Sequence, residues 1–425
     1  MPATATRTTR LLLLLAGLLP GAAAGASETS GISVWIEPQD VFSRRAAGLL
    51  YWFTLEQFAA QPGVEARDAA CLLVVDAPPD PLLAPRARLA EGLTAYENLE
   101  LDRAERELFE AVRAFEAVPA ELLEDASRDH RKALAYLGAV WLLSGQGDKA
   151  QDAFRRLLVI DPEYRLDARI FPPAMLEAFA HMVREVEDAP RGAIDVSAQP
   201  DPALVFVDGH FRGLAPVRIE RLPAGDHLIS VRAPGHIPFG RQVSVGAAED
   251  TPVACRLKPY ADLAAFQREF PSDRIGAGEP LPRALVERAR RARLHRLVLG
   301  RTSRAGAEIG FLMVGYDVST GLPLFERRGS FRPDARDISR SVDEAISELS
   351  PGPGPVVHSG PSAPAPEGAL PRLSGEERFE EAEKPLYRRW WFWTALGAGA
   401  AVTTLLAILL AGGQDAARSQ IVLEF

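Results

Sequence analysis

The spacing of apolar positions changes character several times along the 425 residues, and each change marks an element. Ile32, Val34 and Ile36 alternate with polar neighbours, as a half-buried strand requires. Val41 to Gln61 takes up a helical pattern, Pro62-Gly63 interrupts it, and Cys71-Leu72-Leu73-Val74-Val75 gives a second apolar run. Segment 31–79 therefore predicts strand, helix, strand. It is too small to bury a core alone and needs a partner later in the chain. From 84 to 186 the pattern becomes helical and rich in Ala, Leu, Glu and Arg. Between 192 and 258 the period drops to two, through Ile194, Val196 and Ala198, then Val205 and Val207, Ile229 and Val231, Val243 and Val245, and Val253, Cys255 and Leu257. A second mixed segment, 262–350, predicts a basic helix at Ala284–Arg293, strands at Leu297–Gly300 and Glu308–Asp317, and a final helix at Asp337–Leu349.

The two ends carry a different pattern. Residues 390–412 contain no charge and are long enough to span a bilayer as one helix. Arg388, Arg389, Trp390, Trp391 and Trp393 stand at the leading edge, where indole and guanidinium groups favour the membrane interface. Ala395 and Gly399, with Gly397 and Ala401, give that span a small-residue face suited to a weak homodimer. Residues 1–26 follow the order of a secretory leader: Arg7 and Arg10, the apolar Leu11–Leu19, then small residues ending at Ala26. Together these place the bulk of the chain outside the cytoplasm and a short tail, 413–425, inside. The Pro-, Gly- and Ser-rich stretch 351–386 reads as a disordered tether.

Within 84–186, Leu137-Gly138, Trp141, Gly145, Ala150, Phe154 and Pro162 resemble a tetratricopeptide repeat. In that reading Gly138 and Ala150 let paired helices approach, Trp141 and Phe154 fill the seam, and Pro162 ends the second helix. Gly92, Ala104 and Ala111 fit the same template 46 positions upstream, about 12 more than one repeat of roughly 34 residues. A plain helical bundle is the alternative. In 192–258, Val205-Phe206-Val207-Asp208-Gly209, Gly213-Leu214-Ala215-Pro216, the turn through Leu222, Pro223 and Gly225, and Pro234-Gly235-His236 resemble a PEGA domain. The naming motif is altered to Pro200-Asp201-Pro202-Ala203. The resemblance implies a small β-sandwich that acts as a structural or binding module. Segments 31–79 and 262–350 faintly resemble the two halves of a TolB-type or curli-assembly-type α/β domain. The expected fold is thus multidomain α+β: a tetratricopeptide-like helical array, a PEGA-like sandwich, flanking α/β segments and one carboxy-terminal transmembrane helix.

A net charge of −9 argues against a nucleic-acid surface, which needs clustered basic charge. The run Arg288, Arg290, Arg291, Arg293, His295, Arg296 is threaded by Leu285, Ala289, Ala292 and Leu294, so it reads as a solvated helix face. Cys71 and Cys255 both lie in apolar runs and are expected as free thiols. His210, His227 and His236 are expected on solvated turns, without the acidic or cysteine companions a metal site needs. No spacing of catalytic residues, cofactor loop or metal motif stands out. These features point to a non-enzymatic bacterial envelope scaffold or adaptor holding a protein or cell-wall partner. The alternative is an assembly factor for secretion or surface structures.

Overall fold

The structure, a computed structural model, describes residues 29–61, 63–74, 79–270, 275–276 and 278–331. The leader 1–26, the helix expected at Asp337–Leu349, the tether, the span with its Arg388–Trp393 edge, and the tail all lie outside the described residues. The chain opens with β1 (Ser30–Pro38), α1 (Arg44–Ala59) and β2 (Val64–Arg67). The run expected as a second strand after Asp68 forms instead a 3-10 turn over Ala69–Leu72, because the Asp68 carboxylate accepts the Ala70 N–H at 2.8 Å and winds the backbone locally. Cys71 in that turn is free, and burial pushes its thiol up to about 11.

Next come the helices α2 (Leu83–Glu97), α3 (Leu101–Glu116), α4 (Glu124–Leu143), α5 (Gly147–Ile160) and α6 (Pro173–Glu187). They share one apolar core that includes Leu108, Phe115, Leu137, Phe154 and Leu157. Two helical hairpins use the same close contact. A Cβ at Gly92 of α2 would lie 2.7 Å from Leu108 Cγ of α3, and one at Gly138 of α4 would lie 2.4 Å from Phe154 Cε1 of α5. Each contact therefore sets a bare backbone against a large side chain, and the two contacts are 46 positions apart. Ala150 is buried beside Phe154, and α5 ends at Ile160, two residues before Pro162. Trp141 does more than fill a seam, since its indole N–H donates to Glu105 of α3 at 2.8 Å.

Seven strands follow: β3 (Arg191–Gln199), β4 (Leu204–Val207), β5 (His210–Leu214), β6 (Val217–Pro223), β7 (Gly225–Arg232), β8 (Phe239–Val245) and β9 (Asp250–Arg256). They form a three-stranded sheet, β6-β3-β9, and a four-stranded sheet, β5-β4-β7-β8. Ile194 and Val196 from one sheet meet Val205, Val207, Ile229 and Val231 from the other in a common core, so the module is a sandwich. Asp208 and Gly209 both take positive φ at the β4–β5 hairpin, as a tight primed turn demands.

The chain then returns through α7 (Leu263–Glu269) and α8 (Arg283–Arg291) to β10 (Arg296–Ala305), β11 (Glu308–Asp317) and β12 (Pro323–Phe331). These strands join the opening ones in a single sheet of order β12-β11-β10-β1-β2. Parallel pairing sets Ile32 against Arg296 and Trp35 against Leu299. The Gly31 N–H donates to His295 Nδ1 at 3.0 Å across 264 positions of sequence. Thr54 of α1 is buried against Met313 on one side of the sheet. Trp35 meets Phe266 of α7 edge-on, with centroids 4.6 Å apart. Arg288 is not on a solvated face: it is buried, and its guanidinium donates to Glu269 at 2.8 Å and to the Leu72 carbonyl at 3.4 Å.

The expected fold class is corrected on these observations. The described chain is mixed α/β, and its two flanking segments join in one sheet, as the need of 31–79 for a later partner implies. Among the described residues no helix is long and apolar enough to cross a membrane. By compactness the chain divides into two units, the sheet with α1, α7 and α8, and the inserted helices with the sandwich.

Adding one methyl at Gly138 should cost about 1–3 kcal/mol, because a packed aromatic ring must move to admit it. Gly138→Ala is expected to lower the urea midpoint of the helices, and Phe154→Leu in the same chain to restore part of the loss. Absence of any coupling between the two changes would show that the ring relaxes freely.

Candidate functional site

The inserted unit brings its richest chemistry to the seam between helices and sandwich. On the helical side the seam is made by residues 117–128, the stretch between the end of α3 and the first turns of α4, together with Val159 of α5. It contains a 3-10 turn at Pro119–Glu121. Three glycines of the sandwich meet the helices. A Cβ at Gly240 would lie 2.1 Å from Ala120 N, one at Gly209 2.3 Å from Ser127 Cβ, and one at Gly225 2.8 Å from Val159 Cγ1. A side chain on the sandwich would not fit at such distances, so its bare glycine backbone lies directly on the helices, against backbone at Ala120 and against side chains at Ser127 and Val159. Polar contacts fix the register: Ser230 Oγ donates to the Ala120 carbonyl at 2.9 Å, and Arg232 pairs with Glu121 at 3.3 Å.

A buried polar chain runs through the same seam. His227, fully buried, places Nδ1 2.6 Å from Asp208 Oδ2 and Nε2 2.8 Å from the Pro223 carbonyl. A carbonyl can only accept, so Nε2 carries a proton, and the Asp208 carboxyl group on the other side favours the protonated ring. Asp208 Oδ1 accepts the Leu228 N–H at 2.9 Å, while its carbonyl accepts from Ser127 Oγ at 2.7 Å. Arg131 of α4 then donates to Ser127 Oγ at 3.3 Å and pairs with Asp161 at 3.2 Å. Burial by itself would push the His227 pKa down. The Asp208 hydrogen bond and charge, with the Pro223 carbonyl, outweigh it and hold the value above the ordinary 6.5. This His–Asp pair cannot serve as a general base, because Nε2 is committed to a carbonyl and the ring is shut from solvent.

Beside the seam lies a cleft of ≈270 Å³ between α4, α5 and the β6–β7 corner. Leu134, Val159 and Leu228 form its apolar wall, and Glu116, His130 and Arg156 its polar end. The His130 side chain is buried, and its Nε2 has no hydrogen-bond partner; Glu116 Oε1 stands 3.4 Å away. Glu116 also pairs with Arg156. Burial would raise the Glu116 pKa, but the His130 and Arg156 interactions prevail and lower it.

The sequence-derived residues fall in distinct places. Gly138, Ala150 and Phe154 meet inside the array; Asp208, Gly209, Pro223 and Gly225 gather at the seam, whereas Gly213 and Pro216 belong to the β5–β6 corner, with Gly213 at φ 128° near Val217. The three sandwich histidines do not converge: His210 lies 3.8 Å from Glu124, and His236 makes a local contact with the Pro234 carbonyl. His227 corrects the solvated-turn reading, because β7 begins at Gly225 and carries it straight into the core. Among the described residues no group of His, Cys, Asp and Glu could hold a metal. Ser127, His130, Arg131, Glu116 and Gly240 had no motif to announce them. The helical side of the seam leaves one trace in the sequence, the surplus of about 12 residues between the two helical hairpins.

Gly240 has no left-handed φ, so Gly240→Ala tests docking without straining its own strand. It should leave the sandwich folded while raising amide exchange in residues 117–128, at a cost of about 1–3 kcal/mol. The His227 pair gives a pH prediction. With the folded pKa raised, its stabilisation is complete below about 6.5 and is lost as pH climbs through the folded value. The urea midpoint of the sandwich should therefore fall on the alkaline side in the native protein and stay flatter in His227→Gln. Parallel pH profiles for the two would remove the assignment.

Among curated proteins, none matches the chain. Residues 191–260 match the PEGA domain family, a span that takes in the whole sandwich from β3 to β9.

Proposed function

We propose that the protein is an exported, non-enzymatic adaptor of the bacterial envelope, in which a tetratricopeptide-like helical array and the PEGA domain act as one partner-binding body. The observation that carries this reading is the interlocked seam. Gly240 on Ala120, Gly209 on Ser127 and Gly225 on Val159 hold a cleft in fixed shape between two modules. A preformed cleft binds without having to order its walls first, which favours recognition. The repeated glycine contacts at Gly92 and Gly138 support the tetratricopeptide-like part, and the match at 191–260 supports the binding-module part. The partner is a protein or a cell-wall component.

The second reading, an assembly factor for secretion or surface structures, is favoured by one observation: β1 and β10 pair in parallel within a single α/β sheet, as a TolB-like or curli-assembly-like domain would need.

The rim of the cleft provides the test. Arg155→Glu and Gln242→Arg alter charge there without touching the buried seam. Each is expected to reduce capture of the specific partner, or co-sedimentation with peptidoglycan, by tenfold or more, equivalent to about 1.4 kcal/mol. Undiminished capture by both variants would take binding away from the cleft. Loss of surface fibres or secreted products on deletion, with partner capture unaffected by either variant, would favour the assembly reading.

A further inference from the structure

The sheet unit holds two large apolar side chains outward on a loop built to keep them there. Val41 and Phe42 are each 67% exposed, consecutive in sequence, at the turn between β1 and α1. Isolated exposed apolar residues are ordinary on protein surfaces. Here, however, the loop backbone is tied from both sides. Asp40 Oδ1 accepts the Ser43 N–H at 2.9 Å and Oδ2 accepts the Arg304 N–H at 2.8 Å. The Gln39 N–H donates to the Thr302 carbonyl at 2.8 Å, Ser43 Oγ donates to that same carbonyl at 3.1 Å, and Thr302 Oγ1 donates to the Ser43 carbonyl at 3.2 Å. Ser43 and Thr302 are fully buried. The Val41-Phe42 tip is thus clamped to the start of the β10–β11 hairpin, and its conformation is set before any partner arrives.

The tip is surrounded by positive charge. Arg44 and Arg45 are exposed immediately after it, and the Arg304 guanidinium lies 4.5 Å from the centre of the Phe42 ring. The neighbouring carboxylate, Asp40, spends both oxygens on backbone N–H groups. We propose that this tip inserts into an anionic lipid surface, with Phe42 and Val41 entering the headgroup boundary and Arg44, Arg45 and Arg304 meeting lipid phosphates. Two features favour lipid over a protein partner. The tip projects its side chains outward instead of lining a groove, so it offers no pocket to a peptide. A bilayer needs no shape complementarity to accept an aromatic ring flanked by cations. This contact is separate from the cleft in the inserted unit and does not depend on the adaptor reading.

The experiment uses the full chain with Phe42→Trp and vesicles carrying brominated acyl chains, made either from phosphatidylcholine alone or with 30% phosphatidylglycerol. The readout is the emission gained over the unsubstituted chain, so that the native tryptophans and other apolar segments cancel. Bromine should quench that added emission, at least about threefold more strongly in the anionic vesicles, consistent with the attraction of basic side chains to anionic headgroups. Arg44→Glu in the same background should reduce the anionic preference. Because Val41 and Phe42 are exposed, Val41→Ser with Phe42→Ser leaves the fold intact and should lower the affinity for anionic vesicles. Added emission that bromine does not quench while aqueous iodide does would overturn the proposal, as would equal quenching in both vesicle types. Protection from iodide by an acidic peptide, without bromine quenching, would assign the tip to a protein partner and likewise overturn it.

Discussion

The inserted unit is held as one body by the close approach of bare glycine backbone to the helices where the PEGA domain lies against them. At Gly240 even a methyl group would fall 2.1 Å from the Ala120 nitrogen. Leu228 of the sandwich also joins the helical core and Val159 is buried against Gly225, so apolar burial and close fit act together. Three glycine contacts exclude any sliding, and the Ser230 and Arg232 contacts set the register. The helical side answers with residues inserted between hairpins that otherwise repeat the same glycine contact. What looks in sequence like a degenerate repeat spacing is in space the receiving surface for a second module. Removing those residues would leave the hairpins with their own core but the sandwich with only its contact on α5.

The seam also explains why an ion pair is tolerated where burial is complete. Isolating an imidazolium from water is costly unless every proton finds an acceptor. His227 meets that condition with Asp208 on one nitrogen and the Pro223 carbonyl on the other. Asp208 in turn is fully used, by His227, by the Leu228 amide and, through its own carbonyl, by Ser127 of α4. The hairpin turn is therefore locked to the next strand and to a helix by one residue. A salt bridge of this kind adds little stability over an apolar replacement, but it penalises any other seating of the turn, since a shift would strand a buried charge.

The legible parts of the chain were those whose cause is local. Asp208-Gly209 announced a hairpin because positive φ at two successive residues selects such a pair. Gly138 and Phe154 announce a helical seam only through the resemblance to a tetratricopeptide repeat, whose spacing sets the two on facing helices. The start of the apolar run at Cys71 and Leu72 reads alike as a strand or a capped turn, and Asp68 decides for the turn. His227 misled for a related reason: it follows a turn closely, but the strand begins at Gly225 and the second residue after it already faces the core. Gly240 and Ser127 were invisible. Their backbones are ordinary, and the atoms that constrain them belong to residues about 80 to 120 positions away, which no local pattern records.

The sheet unit makes the same point on a longer scale. β1 is bounded on one side by β2, reached through α1 within a few dozen residues, and on the other by β10, reached only after the whole inserted unit. A parallel strand inside an α/β sheet is covered on both faces by helices, here α1 on the side of Ile36 and Met313 and α7 on the side of Trp35, which is why Ile32, Ser33, Val34, Trp35 and Ile36 are all inaccessible despite their alternating pattern. The alternation pointed to a strand with one wet face. The helix that covers the second face, α7, is missing from any reading of 31–79 alone. Pairing at such separation carries a loop-closure cost that grows only slowly with length, so a long insertion is tolerated at that position. An insert that folds on its own core lessens the cost further, because its chain no longer has to be restrained residue by residue. The requirement that falls on the inserted unit is therefore internal rigidity, and the glycine-bound seam between helices and sandwich is the feature that provides it.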